Sequence, residues 1–418
     1  MLSKYDEKVK RVTETIALKE PDRVPIIIHA GIFPILNAGY SVAEIIYDTS
    51  LQKFKDALIK YLNDFDPDAI TGMGNLNAGE GPVLELANPN NMRWAGMPGD
   101  IIDKNSFQQF IEYPLLLDDE YDEFFCDRTG WALKKALPRI SGLYEPLKDT
   151  AYSFSYSGRG FRRLAGIYST PEYKAMIRDL WAINDFYDEY ETRFAKLKEV
   201  IFEQGYPDFS FGMGLGEVPF DSYSDFLRGT MLACSDIYER PEDIKRYISE
   251  MLPPTLEAIR ATKGIGEGKH IFMPLHKGMD SFMSLEHYKE YYWPHLQQII
   301  LAVVESGKVP HVFAEGRYNT RLDCLADVPP GKVYYHFEDT DMAVAKKKLG
   351  GIACITGGFP SALLDWGTTD MVRDTVKRLM DDCAPGGGYI FGVSCGLGNC
   401  KRENVEVMFE TVREYGAY

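Results

Sequence analysis

Short apolar runs recur along this chain, each followed by a polar loop and a helical stretch, and from residue 268 onward the alternation is regular. Eight runs read as strands. They are VPIII (24–28), DAITGM ending at Met73, DFSFGM ending at Met213, HIFMPL (270–275), VPHVFA (309–314), KVYYHF ending at Phe337, IACIT (352–356) and YIFGVS (389–394). Most are continuously apolar rather than alternating, the pattern of strands covered on both faces in a parallel sheet. Strands separated by helices predict an α/β fold, and eight of them predict a (β/α)8 TIM barrel.

The intervening helices carry their own punctuation. SLEHYKEYYWPHLQQIILAVVESG opens on Ser284 as an N-cap and closes at Gly307. Thr368 or Thr369 caps TTDMVRDTVKRLMDDC, which Pro385 and the glycines after it end. MAVAKKKLGG is a shorter helix. The exception is the stretch 74–206, far too long for one βα connection. It holds the acidic, aromatic-rich LLLDDEYDEFFCDRTGW and one long helix, TPEYKAMIRDLWAINDFYDEYETRFAKLKEVIFEQG. No Pro/Ser-rich linker bounds it. It therefore reads as an insertion between early strands of a single domain spanning 1–418, packed on one face as a lid or part of a substrate wall. Tyr121, Phe124, Phe125, Trp131, Tyr144, Tyr152, Phe154 and Tyr156 suggest an aromatic wall there, with plain core packing as the alternative.

Charge and cysteine content exclude several classes of function. The formal net charge is −16 and no basic block breaks it, which argues against nucleic-acid binding. No apolar run is long enough to span a membrane. The opening MLSKYDEKVKRVTETI is charged and helix-like and lacks the apolar core of a secretory signal. Seven scattered cysteines form no paired framework and suit a reducing compartment, so a cytoplasmic protein is expected.

In such barrels the chemistry sits at the C-terminal ends of the strands. The residues there are His29, Met73, Asn75, Met213, Gly214, Glu217, His276, His311, Glu315, Glu338, Asp339, Gly357, Gly358 and Cys395. His311, Glu315 and Cys395 are the sharpest set, because imidazole, carboxylate and thiolate are the ligands zinc takes, with a position left for substrate. Gly357 and Gly358 follow the seventh run, where barrels of this type often bind a phosphate-bearing cofactor; a tight turn is the other reading. The glycines of GMGLGE do not match a dinucleotide fingerprint.

The segment ITGGFPSALLDWGTTDMVRDTVKRLMDDCAPGGGYIFGVSCGLG, followed by RENVEVMFETVREYG, resembles the uroporphyrinogen decarboxylase-like superfamily. So do DSYSDFLRGTMLACSDIYERPEDIKRYI, PLHKGMDSFMSLEHYKEYYWPHLQQII and the opening EPDRVPI. The resemblance implies a (β/α)8 barrel. Porphyrinogen decarboxylases bind substrate carboxylates with an N-terminal arginine motif, whereas the corresponding IIIHAGIFPILNAGY has no arginine. The chain is more similar to the cobamide-dependent methyltransferases, which bind zinc through His-x-Cys and a later cysteine. His311 and Cys395 match the outer ligands. Phe313 stands where the middle cysteine belongs, and Glu315 is its expected replacement, giving a harder site suited to an oxygen ligand.

The resemblance therefore implies a corrinoid-dependent methyltransferase of demethylase type. It would move a methyl group between a small methylated substrate, methoxy-aromatics included, and a cobamide. No Asp-x-His-x-x-Gly motif is present, so the cobamide is expected on a separate corrinoid protein. His276 or Glu217 would supply a proton to the leaving group. A homo-oligomer is compatible with the sequence. Two alternatives stand beside this reading: a metal-free decarboxylase-like lyase using His276, Asp280 and Arg317, and a non-catalytic subunit of a methyl-transfer complex.

Overall fold

Four of the eight apolar runs form a regular parallel ladder in the computed structural model, which describes residues 2–72, 76–99, 101–148, 150, 158–212 and 214–418. The strands are β1 (His270–Leu275), β2 (Val309–Ala314), β3 (Tyr334–Phe337) and β4 (Cys354–Gly357), hydrogen-bonded in that order. The register pairs Phe272 with His311 and His311 with Tyr334. The first two strands fall on the expected residues. The fourth begins two residues later than IACIT predicts, after the turn at Gly350 and Gly351.

The other four runs make isolated parallel bridges, to this sheet and to one another, instead of ladders. Ser210 pairs with His270, Ile70 with Asp208, Ile355 with Tyr389 and Ile26 with Phe391. The Asp68 amide donates to the Ile26 carbonyl at 2.8 Å. Expected as strands, the first three of these runs are too interrupted to be regular ones. Pro25, Pro67 and Pro207 lack an N–H to donate, and the Ile26 amide donates to the Asp68 carboxylate at 2.7 Å rather than to a backbone carbonyl. The expected strand ends Met73, Asn75 and Met213 lie outside the described residues.

Alternation along the strands separates two apolar clusters. Ile271, Met273, Leu275, Val312, Ala314, Tyr335, Phe337 and Ile355 join the main core beneath the helices. On the opposite, inner face, Ile27, Ala69, Phe209, Tyr334, Cys354 and Ile390 pack with Val12 and Ile16 of the N-terminal helix Lys4–Ile16. That helix floors the inner face at the N-terminal ends of the strands. Ser3 and Asp6 form its capping box. A buried carboxylate pins it: Asp68 accepts from Arg11 at 2.6 Å and from Arg23 at 2.8 Å.

The stretch 74–206 holds short helices, a two-residue antiparallel pair (Met92–Arg93 with Gln109–Phe110) and the long helix Pro171–Glu203, capped by Thr170. Its Trp94, Leu116, Tyr121, Phe124, Trp131 and Leu197 belong to the main core. Phe124 meets Trp131 edge-on at 4.9 Å and stacks on Tyr247 at 6.2 Å. These described aromatics are therefore core, as the alternative reading had it. Tyr152, Phe154 and Tyr156 lie outside the described residues. A buried polar network ties the stretch to the rest. The Arg228 guanidinium donates to Asp236 at 2.6 Å, to Asp118 at 2.7 Å and to the Leu116 carbonyl at 2.6 Å, and the Tyr121 and Tyr223 hydroxyls also reach Asp236. All seven cysteines are free thiols. Among the described residues, no helix is long and apolar enough to cross a membrane.

Candidate active site at the strand ends

His276 and Lys277 follow β1, and Glu315 follows β2, so all three sit where the strands release the chain. Opposite them, the helix Pro219–Tyr223 runs directly into a π turn, Ser224–Arg228. A second π turn, Tyr288–Tyr292, precedes Pro294. Such bulges inside helices re-aim side chains and are frequent at functional sites.

Asp221 and Asp225, four residues apart, share one helical face and meet the two post-strand residues. The Asp221 carboxylate accepts from the His276 amide at 3.1 Å, the Lys277 amide at 2.9 Å and the Tyr292 hydroxyl at 2.5 Å. It fixes the backbone that carries His276. Asp225 holds the side chains: one oxygen bonds the His276 Nδ1, and the other lies 2.8 Å from the Lys277 Nζ. The His276 Nε2, on the far side of the ring, points to the Glu315 carboxylate at 3.5 Å.

Burial alone would lower the His276 pKa, but the Asp225 hydrogen bond and then Glu315 outweigh it and lift it to about 10. Burial works against the Asp225 carboxylate too, yet its bonds to His276 and Lys277 hold it below the usual carboxylate range. Glu217 goes the other way. Burial, then the charges of Asp221 and Asp225, push it up to about 7, with His276 pulling slightly back. Asp221 is fully buried and raised to about 6, chiefly by that burial. The site thus pairs a cationic imidazole with a carboxyl group half-protonated near neutrality, the combination that acid–base chemistry at pH 7 requires.

His276 and Glu217, singled out from sequence as acid–base candidates, fall in this one cluster. Asp221, Asp225, Lys277 and Tyr292 were missed. The signal available was the DSYSD spacing, which puts two carboxylates on one face of a helix.

The expected metal ligands are not drawn together. His311 lies within β2, its ring stacked on Tyr334 at 4.4 Å. Glu315 faces His276 instead, and the exposed Cys395 is held at Ser361, whose Oγ accepts from its amide at 3.3 Å and lies 3.7 Å from its sulfur. Among the described residues no three His, Cys, Asp or Glu side chains converge to hold one ion.

Gly357 and Gly358 are explained by packing. At φ +94° a Cβ on Gly357 would lie 2.0 Å from the Phe337 carbonyl oxygen, and one on Gly358 would lie 2.2 Å from the Met342 side chain. Gly358 also lines an open cleft of about 950 Å³ with Arg317, Asp339, Arg378 and Asp382. Arg317 is paired with Asp339 at 2.7 Å, and Asp280 accepts from Thr320 at 2.8 Å.

No curated protein matches the chain in sequence. Among solved structures, a methyltransferase from Methanosarcina mazei shares the fold over 98% of this chain and 98% of its own, with a TM-score of 0.58 and 14% identity. Residues 213–415, which carry Glu217, Asp221, Asp225, His276 and Glu315, match the uroporphyrinogen decarboxylase (URO-D) family. Through that region the chain is similar to the uroporphyrinogen decarboxylase family.

Proposed function

We propose that this chain is a methyltransferase of demethylase type, moving a methyl group between a small methylated substrate and a corrinoid carried by a separate protein. In this reading the eight apolar segments close into one (β/α)8 domain spanning 1–418, with 74–206 inserted. The bridges from Ile26 to Phe391 and from Ile70 to Asp208 support closure. The similarity of residues 213–415 to the uroporphyrinogen decarboxylase family and the full-length likeness to the Methanosarcina mazei methyltransferase support the methyl-transfer class. The absence of arginine from IIIHAGIFPILNAGY speaks against a polycarboxylate substrate. The free thiols suit a reducing compartment, and we place the enzyme in the cytoplasm.

The observation that carries the reading is the proton-holding cluster at the strand ends. Removing a methyl group from oxygen or nitrogen leaves an electron pair on the heteroatom, and that atom needs a proton. A reduced corrinoid, when bound, supplies a nucleophile able to take the methyl group. The rest falls to this chain. Asp225 and Lys277 fix the His276 ring so that its Nε2 faces the mouth beside Glu315. Glu217, with a pKa near 7, holds a proton it can release at neutral pH. Zinc held by His311, Glu315 and Cys395 does not fit this arrangement, because among the described residues these three side chains do not converge on one ion.

The test is to mix the purified chain with reduced cobalamin and a panel of methylated ethers and amines, and to follow the absorbance of the reduced corrinoid. Its loss on adding one substrate, with release of the demethylated product, supports the proposal. Carbon dioxide released from a carboxylated substrate without corrinoid would replace it with the lyase reading. Elemental analysis of anaerobically purified protein decides whether zinc is present.

A further inference from the structure

The inner face of the sheet is filled only at its floor. Above the cluster around Tyr334 and Ile390, the residues on that face are Phe272, His311, Phe313 and His336, and they are not packed shut. Phe272 is 43% exposed although it lies in the middle of a parallel strand, between the buried Ile271 and Met273. An aromatic ring left open there forgoes part of the stabilisation that burial would give it. Barrel interiors are ordinarily filled by layers of side chains, so an open layer of rings marks a place kept for something else.

The rings form a slot. Phe272 and Phe313 face each other at 6.0 Å with planes 29° apart, Phe313 lies 4.4 Å from His336, and His311 stands edge-on to Phe272 at 5.2 Å. His336 is spoken for, since its Nε2 donates to the Val393 carbonyl at 2.7 Å. His311 and His29 are not. The Nε2 of each is buried with no hydrogen-bond partner among the described residues. Buried polar atoms are nearly always satisfied, so two unpartnered imidazole nitrogens beside one aromatic slot point to a ligand atom between them. Gly72 preserves the arrangement, because a Cβ there would lie 2.1 Å from the His29 ring.

We infer that this slot is a binding site for a planar aromatic ring bearing an oxygen substituent, with Phe272 and Phe313 taking the ring and His311 and His29 hydrogen-bonding the oxygen. A ring on Phe272 and Phe313 makes the offset or edge contacts that aromatic pairs prefer. A neutral imidazole donates to an ether oxygen or accepts from a phenol, so aryl methyl ether and phenol are both accommodated. A cation finds no carboxylate among these six residues. The inference rests on the methyl-transfer reading only in identifying the ligand as substrate and product; the site itself stands on the slot and its unpartnered atoms.

Binding is measured without corrinoid, by titration calorimetry with methoxybenzene and phenol and with cyclohexanol as the non-aromatic control. The imidazole nitrogen signals of His311 are followed in parallel. The aromatic compounds should bind at least several-fold more tightly than cyclohexanol and move the His311 signals. Phe272→Leu should weaken them about 2- to 10-fold, and His311→Gln by a similar factor for the lost hydrogen bond. Far-UV circular dichroism confirms that both variants fold; if one does not, Phe313→Leu replaces it. Equal binding of cyclohexanol, no binding of any aromatic, or unchanged binding in the folded variants overturns the inference. Aromatic binding without turnover by reduced corrinoid would uphold the site and defeat the methyl-transfer reading. Turnover without aromatic binding would do the reverse.

Discussion

Asparagine in place of Asp225 removes one charge and almost no volume from the candidate active site. In the native protein the His276 ring lies between Asp225, bonded to its Nδ1, and Glu315, 3.5 Å from its Nε2. Together these outweigh burial and hold the imidazole at about 10. An opposite charge at this range contributes about 1–3 pKa units. Burial is unchanged in Asp225→Asn, so His276 should titrate about 1–3 units lower than in the native protein. A histidine raised by its partners gives stability that is fully present below the unfolded value of about 6.5 and is lost as pH rises through the folded one. The native protein should therefore lose this contribution between about pH 6.5 and 10, and the variant over a window that closes about 1–3 units earlier. Imidazole NMR reads the titration directly, and urea unfolding at pH 6 and pH 9 reads its effect on stability. A native His276 titrating near 6.5, or a variant within about 0.5 unit of the native value, would refute the reasoning.

Other consequences can be checked with single variants. If protonated Glu217 is the proton donor, activity should fall as pH rises through about 7; Glu217→Gln should erase that limb and cut the rate about 100-fold or more, read from pH–rate profiles. Arg228→Met leaves the buried Asp236 carboxylate with tyrosine hydroxyls and only the longer 3.9 Å contact to Arg240, and should cost about 3–5 kcal/mol in urea unfolding. A loss below about 1 kcal/mol would show that the network does not join 74–206 to the rest. Gly357→Ala meets the Phe337 carbonyl at a backbone angle reserved for glycine and should destabilise by about 1–3 kcal/mol in thermal melts.

The sequence was most legible where a strand is apolar on both faces. His270–Leu275 and Val309–Ala314 stand where their runs predicted, as do the N-caps at Ser284 and Thr368, because hydrophobic burial and capping are local signals. The first, second, third and eighth runs are less regular than their composition suggests. In the first three, proline and the Asp68 carboxylate replace backbone partners, and a pattern of apolar residues does not register that. The long helix Pro171–Glu203 was readable from its periodicity. The π turn at Tyr288–Tyr292 was not, since one extra residue in a turn leaves the composition unaltered. At the site, strand-end logic found His276, Glu315 and Glu217, which lie after strands. It missed Asp221 and Asp225, which reach the site from a helix. The ligand set His311, Glu315 and Cys395 was chosen by spacing along the chain. Spacing does not say that His311 lies inside a strand while Glu315 turns to His276.

Methyl transfer dependent on a reduced corrinoid is the central claim, and one spectroscopic experiment addresses it most directly. The purified chain is mixed anaerobically with methoxybenzene, first alone and then with reduced cobalamin, while the corrinoid spectrum and phenol release are recorded together. The account predicts no phenol from the chain alone, and phenol formed in step with loss of the reduced-corrinoid absorbance once cobalamin is present. Phenol released at the same rate without corrinoid, or a carboxylated substrate decarboxylated in its absence, would contradict it.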